Sequence, residues 1–130
     1  MEGLPLSALQ QVAAYFQALS EPTRLQILNL LREHQYNVGE LAERCGYSSA
    51  NISRHLSVLA KHGFVAREGR GTNVYYRVAD PSVYALCDLV CGTLARQLES
   101  KANERDLFLQ SGARAAAGGR ASAKARARGR

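Results

Sequence analysis

The segment from residue 48 to residue 78, SSANISRHLSVLAKHGFVAREGRGTNVYYRV, places a helical pattern directly before a strand pattern, and this order restricts the fold strongly. Ile52, Leu56 and Leu59 recur at helical spacing, and Gly63 ends the pattern. Residues 64–67 and 73–78 are rich in the residue types that favour strands, with a loop expected at residues 68–72. The segment therefore predicts a helix followed at once by a β-hairpin.

Three further helical patterns precede this segment. Apolar residues at helical spacing predict a first helix from Leu6 to Leu19, and Ser20 is expected to cap a second, mostly apolar helix that has Pro22 near its start. A turn is expected at residues 34–37. Asn37 is expected to cap a short helix over residues 38–44, which Gly46 ends.

The short helix, a glycine-containing turn and the helix that follows have the layout of a helix-turn-helix. Ser48 or Ser49 is expected to cap the second of these helices, and a long helix is expected from about residue 81 to beyond residue 101. The predicted fold class is mainly α with a β-hairpin wing, which is a winged helix-turn-helix. We expect a DNA-binding and dimerisation domain over residues 1–105 and a basic tail over residues 106–130, disordered from about residue 111.

The charge of the chain is concentrated in two places. Six of the 17 lysines and arginines lie in residues 111–130, which contain no acid, so the remaining 11 balance the 11 acidic residues. Within that neutral part, residues 44–77 hold six basic residues against Glu68 alone. A basic middle segment is typical of a surface that binds a polyanion.

The helix and hairpin of residues 48–78 therefore predict a DNA-binding surface. Small polar side chains let a helix approach base edges, and basic side chains attract phosphates. The alternative for each residue alone is that Ser48 only caps a helix and the arginines form a solvated face. The candidate DNA-binding residues are Ser48, Ser49, Asn51, Ser53, Arg54, Ser57, Lys61, Arg67, Arg70, Thr72 and Asn73.

The segments LSEPTRLQILNLL, GELAERCGYSSANISRHLSVLAKHGFVAREGRGTNVYYRV and DPSVYAL resemble the arsenic-repressor-like (ArsR/SmtB) family of winged-helix repressors over about residues 8–98. The resemblance implies a homodimeric repressor that an inducer releases from operator DNA. It also implies that residues 48–61 are the recognition helix, that residues 68–73 are the wing tip, and that the first and last long helices form the dimer interface. The charge pattern and the order of the elements lead independently to double-stranded DNA as partner, and the resemblance implies that this DNA is an operator.

Two metal sites familiar in this family are not matched here. The resemblance places Asn37 and Gly39 where a Cys-Val-Cys site would stand, so that thiol site is absent. Asp80 matches the first acid of a zinc site on the terminal helix. The positions that follow hold Ser82, Thr93 and Arg96, which cannot replace imidazole ligands. Zinc sensing at this site is therefore not expected.

The sensor candidates that remain are Cys87 and Cys91, four residues apart on the terminal helix. Their Cβ atoms are expected about 5–6 Å apart, so two thiolates would share a soft ion such as arsenic(III), antimony(III) or copper(I). One alternative is a redox or reactive-sulfur sensor. Another is a packing role for Cys87 within an apolar stripe, without any metal ligand. Cys45 is expected to pack. No other cofactor is required.

Other function classes find little support. The chain has no glycine-rich phosphate loop, no paired catalytic carboxylates and no nucleophile–base motif, so an enzyme is not expected. A second alternative is an architectural or single-strand binder that acts through the basic tail. The tail either adds nonspecific DNA attraction or has no specific role.

No apolar run reaches membrane-spanning length, and the N-terminal MEGLPLSALQQ does not resemble a signal peptide, so a cytoplasmic location is expected. His55 is expected to be packed or bonded to backbone rather than to bind a ligand.

Overall fold

The computed structural model describes the backbone of residues 1–115 and the side chains of residues 1–110. The chain forms two compact units, one over Met1–Val83 and one from Tyr84 onward. The elements, in chain order, are α1 (Leu6–Leu19), α2 (Pro22–Leu30), β1 (Tyr36–Asn37), α3 (Val38–Cys45), α4 (Ser49–Lys61), β2 (Val65–Arg70), β3 (Asn73–Val78) and α5 (Ser82–Ala115). The winged helix-turn-helix predicted from the sequence is confirmed by this order of helices and strands.

The start of α2 differs from the prediction. The Glu21 carboxylate, not the Ser20 hydroxyl, accepts a hydrogen bond from the Arg24 backbone N–H, at 3.1 Å. The Ser20 hydroxyl donates instead to the Gln17 carbonyl at the end of α1, 2.9 Å away. Ser20 thus closes α1, and Glu21, with its longer side chain, caps α2.

The helix-turn-helix is built from two well-capped helices. Asn37 and Glu40 form a reciprocal capping box at the start of α3, and Gly46 ends that helix with a left-handed φ of 75°. Ser48 caps α4, since its hydroxyl accepts from the Asn51 backbone N–H at 3.1 Å. The capping residues fix where the turn begins and ends, and therefore the residue at which α4 begins.

The wing belongs to a three-stranded antiparallel sheet with the order β1-β3-β2. The turn expected at residues 34–37 contains the short strand β1, where Tyr36 pairs with Tyr76. The loop expected at residues 68–72 is also shorter than predicted, because β2 continues to Arg70 and pairs it with Asn73. Only Gly71 and Thr72 form the turn, and Gly71 has the positive φ of 62° that a two-residue hairpin turn requires.

The core of the first unit lies beneath α4 and the sheet. The predicted stripe of α4 is fully buried, and the Phe64 ring packs against Tyr15 of α1 with ring centroids 4.6 Å apart. Tyr76 is buried whereas Tyr75 is half-buried, as expected for neighbours on opposite faces of a strand. The largest fully buried side chains are Phe64, Ile27, Leu28, Leu41, Ile52, Leu56, Leu59 and Val83.

The terminal helix α5 is 34 residues long. It extends past residue 101, as predicted, and continues through residue 105, where the sequence suggested the end of the domain. Of the predicted disordered tail, residues 116–130 lie outside the described part of the chain. No helix in the described residues is long and apolar enough to cross a membrane.

Candidate nucleic-acid interface

Helix α4 has one buried face and one polar exposed face. Its N-terminal half carries Ser49, Ser53 and Arg54 into solvent, and Ser57 and Lys61 follow on the C-terminal half. Ile52, Leu56 and Leu59 anchor the opposite side in the core. The exposed face carries two cations and no carboxylate, so it is suited to a phosphate-lined groove.

Asn51 is less accessible than its neighbours. Its backbone N–H donates to the Ser48 hydroxyl, and the residue is only half-exposed. Its side-chain Oδ1 is buried without a hydrogen-bond partner. Asn51 is therefore less accessible to DNA than Ser49, Ser53 and Arg54, which are exposed to solvent.

The hairpin gives a second exposed basic segment. Arg67, Thr72 and Asn73 are exposed, and Arg77, a residue outside the predicted set, is exposed beside them. Pairing of Ala66 with Arg77 and of Glu68 with Tyr75 puts these paired residues on the sheet face opposite Tyr76, whereas Arg67 pairs with Tyr76 and lies on the other face. The wing therefore presents Arg77 on the face that also carries Tyr75.

Arg70 lies on that face but does not extend freely from the tip. Its guanidinium lies 4.7 Å from the ring centroid of Tyr75, donates to the Gln35 side-chain oxygen, and is 3.4 Å from the Glu68 carboxylate. These contacts join the wing to the residue that precedes β1. Arg70 keeps about half of its side chain exposed, so it remains available to a phosphate.

Sequence reasoning missed a polar cluster behind the recognition helix. Arg24 of α2 donates through Nε to His55 Nδ1 on α4, 3.2 Å away, and through Nη1 to the carbonyl of Ala18 at 3.1 Å. Glu21 Oε2 lies 3.8 Å from the same His55 nitrogen. The only local signal was the Glu21–Arg24 spacing at the start of a helix, because the His55 contact spans 31 residues.

The three cysteines differ in exposure. Cys45 is half-buried, and burial raises the pKa of its thiol. On α5, Cys87 is half-buried and Cys91 is exposed, and neither is in a disulfide. In the described residues no group of three or more histidines, cysteines or carboxylates is arranged to hold a metal ion.

The positions compared with the family's zinc site are occupied by groups that bond within the chain. The Asp80 carboxylate accepts from the Ser82 backbone N–H at 3.0 Å, which lowers the pKa of Asp80. On α5, Arg96 donates to the Thr93 hydroxyl, which donates to the Leu89 carbonyl.

Comparison with known proteins supports a regulatory DNA-binding protein. Residues 21–67, which span α2 to the first half of the wing, match the family model of bacterial regulatory proteins of the arsR family. Rv0081, an HTH-type transcriptional regulator of Mycobacterium tuberculosis, is 37% identical over 102 residues, which cover 78% of this chain and 88% of the relative. Its crystal structure matches with a TM-score of 0.66 and 36% identity, covering 76% of this chain and 98% of the other.

Two further proteins extend the comparison. The Mb0332 domain of Mycobacterium bovis, solved in solution as a homodimeric winged helix-turn-helix DNA-binding domain, matches with a TM-score of 0.66 at 34% identity, covering 77% of this chain and 95% of that one. A "Probable mercury resistance operon repressor" of Streptomyces lividans is 34% identical over 80 residues, covering 62% of this chain and 64% of the relative.

Proposed function

Since the chain belongs to the arsR family of bacterial regulatory proteins, which are transcriptional regulators and not enzymes, we propose that it is a repressor that binds operator DNA as a homodimer. The observation that carries the proposal is the exposed face of α4, which combines Ser49, Ser53 and Arg54 with an anchored apolar side. Serine and arginine side chains hydrogen-bond to base edges and phosphates, and a helix of this kind fits the major groove.

The wing supplies a second contact in this proposal. Arg67, Arg77 and the half-exposed Arg70 lie on a hairpin that directly follows α4. Their charges would bind phosphates and release counterions, which gives affinity without reading sequence. In this arrangement α4 determines which DNA sequence is bound, and the wing raises the affinity for DNA of any sequence.

A homodimer is supported by apolar surface on the terminal helix and on α1. Leu89 and Leu98 of α5 are more than two-thirds exposed, and Val90 and Leu94 are about half exposed. On α1, Leu6 and Phe16 are also exposed. Several exposed large apolar side chains along one helix, as on α5, are typical of an interface. A two-fold symmetric dimer would present two recognition helices to half-sites about 34 Å apart.

For the inducer, we propose a soft thiophilic ion bound by Cys87 and Cys91. Cys91 is exposed, and the two residues are four apart on α5, which supports thiols that share one ion. A two-fold axis near these residues would bring four thiols together in the dimer. The mercury-related relative supports this class of inducer for a protein of this fold.

The experiment that tests the function is selection of bound sequences from a library of random duplexes. The proposal expects enrichment of a near-palindromic site that binds two chains. Enrichment of no sequence, or equal binding to every duplex, would contradict it.

The inducer is tested on the selected duplex. Arsenite, antimonite, copper(I) and polysulfide are titrated against the complex, with a Cys87→Ser/Cys91→Ser double variant as control. Release of wild type by one of the ions, lost in the double variant, supports the ion site. Release by polysulfide alone favours the reactive-sulfur alternative. A response that is unchanged in the double variant removes both thiols from sensing and leaves them a packing role.

A further inference from the structure

We propose that Arg24 is a positioning residue, which sets the orientation of the recognition helix α4 through His55 and so controls operator recognition without facing DNA. This inference rests on the proposed function, because orientation matters only if α4 reads DNA. Its physical basis is one side chain that joins α1, α2 and α4.

The guanidinium of Arg24 connects three helices. Nε donates to His55 Nδ1 on α4 at 3.2 Å, while Nη1 donates to the carbonyls of Ala18 at 3.1 Å and Gln17 at 3.4 Å. These carbonyls belong to the last turn of α1, where the Gln17 carbonyl also accepts from the Ser20 backbone N–H at 3.1 Å and from the Ser20 hydroxyl at 2.9 Å. The planar guanidinium holds its donors at fixed angles, so it transmits orientation as well as distance.

The acceptor on α4 is directional. His55 Nδ1 accepts from the Arg24 Nε–H at 3.2 Å, so the bond has a fixed direction from α2 to α4. The Glu21 carboxylate, which caps α2 by accepting from the Arg24 backbone N–H, lies 3.8 Å from the same nitrogen. The His55 side chain is mostly buried, so water competes little for the bond.

A directional contact adds what apolar packing does not provide. Ile52, Leu56 and Leu59 hold α4 in the core through nondirectional contacts, which resist removal of the helix more than small rotations about its axis. His55 directly follows Arg54, so a rotation that breaks the Arg24 bond also displaces Arg54. Hydrogen bonds to base edges depend steeply on geometry, so even a small displacement weakens them.

The alternative is that the cluster only stabilises the fold. The two roles differ in what they change. Lower stability reduces the amount of folded protein, and so it reduces binding to every duplex equally. Loss of orientation reduces binding to the selected operator and leaves nonspecific phosphate attraction intact.

The test compares His55→Leu, which removes the acceptor, with His55→Asn, whose Oδ1 stands close to the place of Nδ1. Affinities for the selected operator and for a scrambled duplex are measured at a temperature where circular dichroism shows each variant to be folded. We expect His55→Leu to lower the ratio of operator affinity to scrambled-duplex affinity about tenfold. Its affinity for the scrambled duplex should stay within about twofold of the wild-type value. His55→Asn should recover most of the preference.

Arg24→Ala completes a double-mutant cycle with His55→Leu. Because both changes remove the Arg24–His55 bond, their combined effect on operator preference should be smaller than the sum of the separate effects. The inference is overturned if His55→Leu keeps the preference, if both duplexes lose affinity equally, or if His55→Asn fails as His55→Leu does. Should Arg24→Ala not fold, the two His55 variants decide alone. A wild-type protein without any sequence preference overturns the proposed function and this inference together, whereas failure in the variants alone leaves the function standing.

Discussion

The guanidinium of Arg70 lies 4.7 Å from the ring centroid of Tyr75, so the arginine nearest the wing turn packs against the sheet while about half of its side chain stays exposed. The same distance separates the Arg44 guanidinium, at the end of α3, from the Tyr36 ring. The two arginines thus make equivalent contacts with tyrosines of one sheet, but only Arg70 belongs to the wing. This pair provides a matched control for the role of the wing.

We predict that Arg70→Ala weakens binding to all duplexes about equally and lowers the slope of log affinity against log salt by about 1, because one phosphate contact is lost. Arg44→Ala removes the same charge and the same ring contact outside the proposed interface, so its salt slope should stay at the wild-type value. Fluorescence anisotropy between low and moderate salt measures both slopes. Equal slopes for wild type and Arg70→Ala would contradict a phosphate contact at the wing.

The negative charge of Glu68 is expected to weaken the binding of the wing to DNA. Its carboxylate is 3.4 Å from the Arg70 guanidinium and is the only acid between residues 44 and 77. We predict that Glu68→Gln raises affinity for DNA by about two- to fivefold at low salt, the effect expected from one exposed charge. Glu43→Gln, an exposed acid on α3, is the control. No gain from Glu68→Gln, or an equal gain in the control, would show that Glu68 does not restrain the wing.

Arg54 and Lys61 should have different effects, although both are exposed on α4. Arg54 lies in the N-terminal half of the helix, so we predict that Arg54→Ala costs about 1–3 kcal/mol at the selected operator and relaxes the preference at one base pair. Lys61→Ala should weaken binding to all sequences alike, because Lys61 lies in the last turn. Binding to a panel of single-base operator variants separates the two patterns. Uniform weakening by Arg54→Ala would mean that this side chain contacts only phosphate.

The Ser48 cap can be tested without DNA. Its hydroxyl accepts from the Asn51 N–H at 3.1 Å, so Ser48→Ala should lower the free energy of unfolding by about 1 kcal/mol. Ser49, the next residue, is exposed and lies within the helix, so Ser49→Ala should stay within about 0.5 kcal/mol of wild type. Urea denaturation at one fixed protein concentration measures both. A smaller loss for Ser48→Ala than for Ser49→Ala would contradict the observed cap.

Local signals predicted most of the fold. The spacing of Ile52, Leu56 and Leu59 and the caps at Asn37 and Ser48 determine α3 and α4 from residues a few positions apart. The short strand β1 was missed, because two residues carry no period and form a strand only by pairing with Tyr75 and Tyr76. The wing was predicted with too long a loop, since the hydrophobic pattern stops at Arg67 while the pairing continues to Arg70.

The site was predictable only in part, for a similar reason. The exposed residues of α4 follow from helical periodicity once the buried stripe is known. The contacts of Arg70 with Gln35 and of Arg24 with His55 join residues 35 and 31 positions apart, so no local pattern reports them. Sequence reasoning consequently placed Arg70 at a free tip and gave Arg24 no role.

The measurement that tests the central claim most directly is hydroxyl-radical footprinting of the wild-type protein on the selected operator, combined with the mass of the complex. Two chains that each insert one α4 helix should protect two half-sites whose centres are one helical turn of DNA, or a whole multiple of it, apart. Arg54→Ala should weaken both protected regions together. A complex of one chain with a single protected region, or protection that does not depend on sequence, would contradict the account.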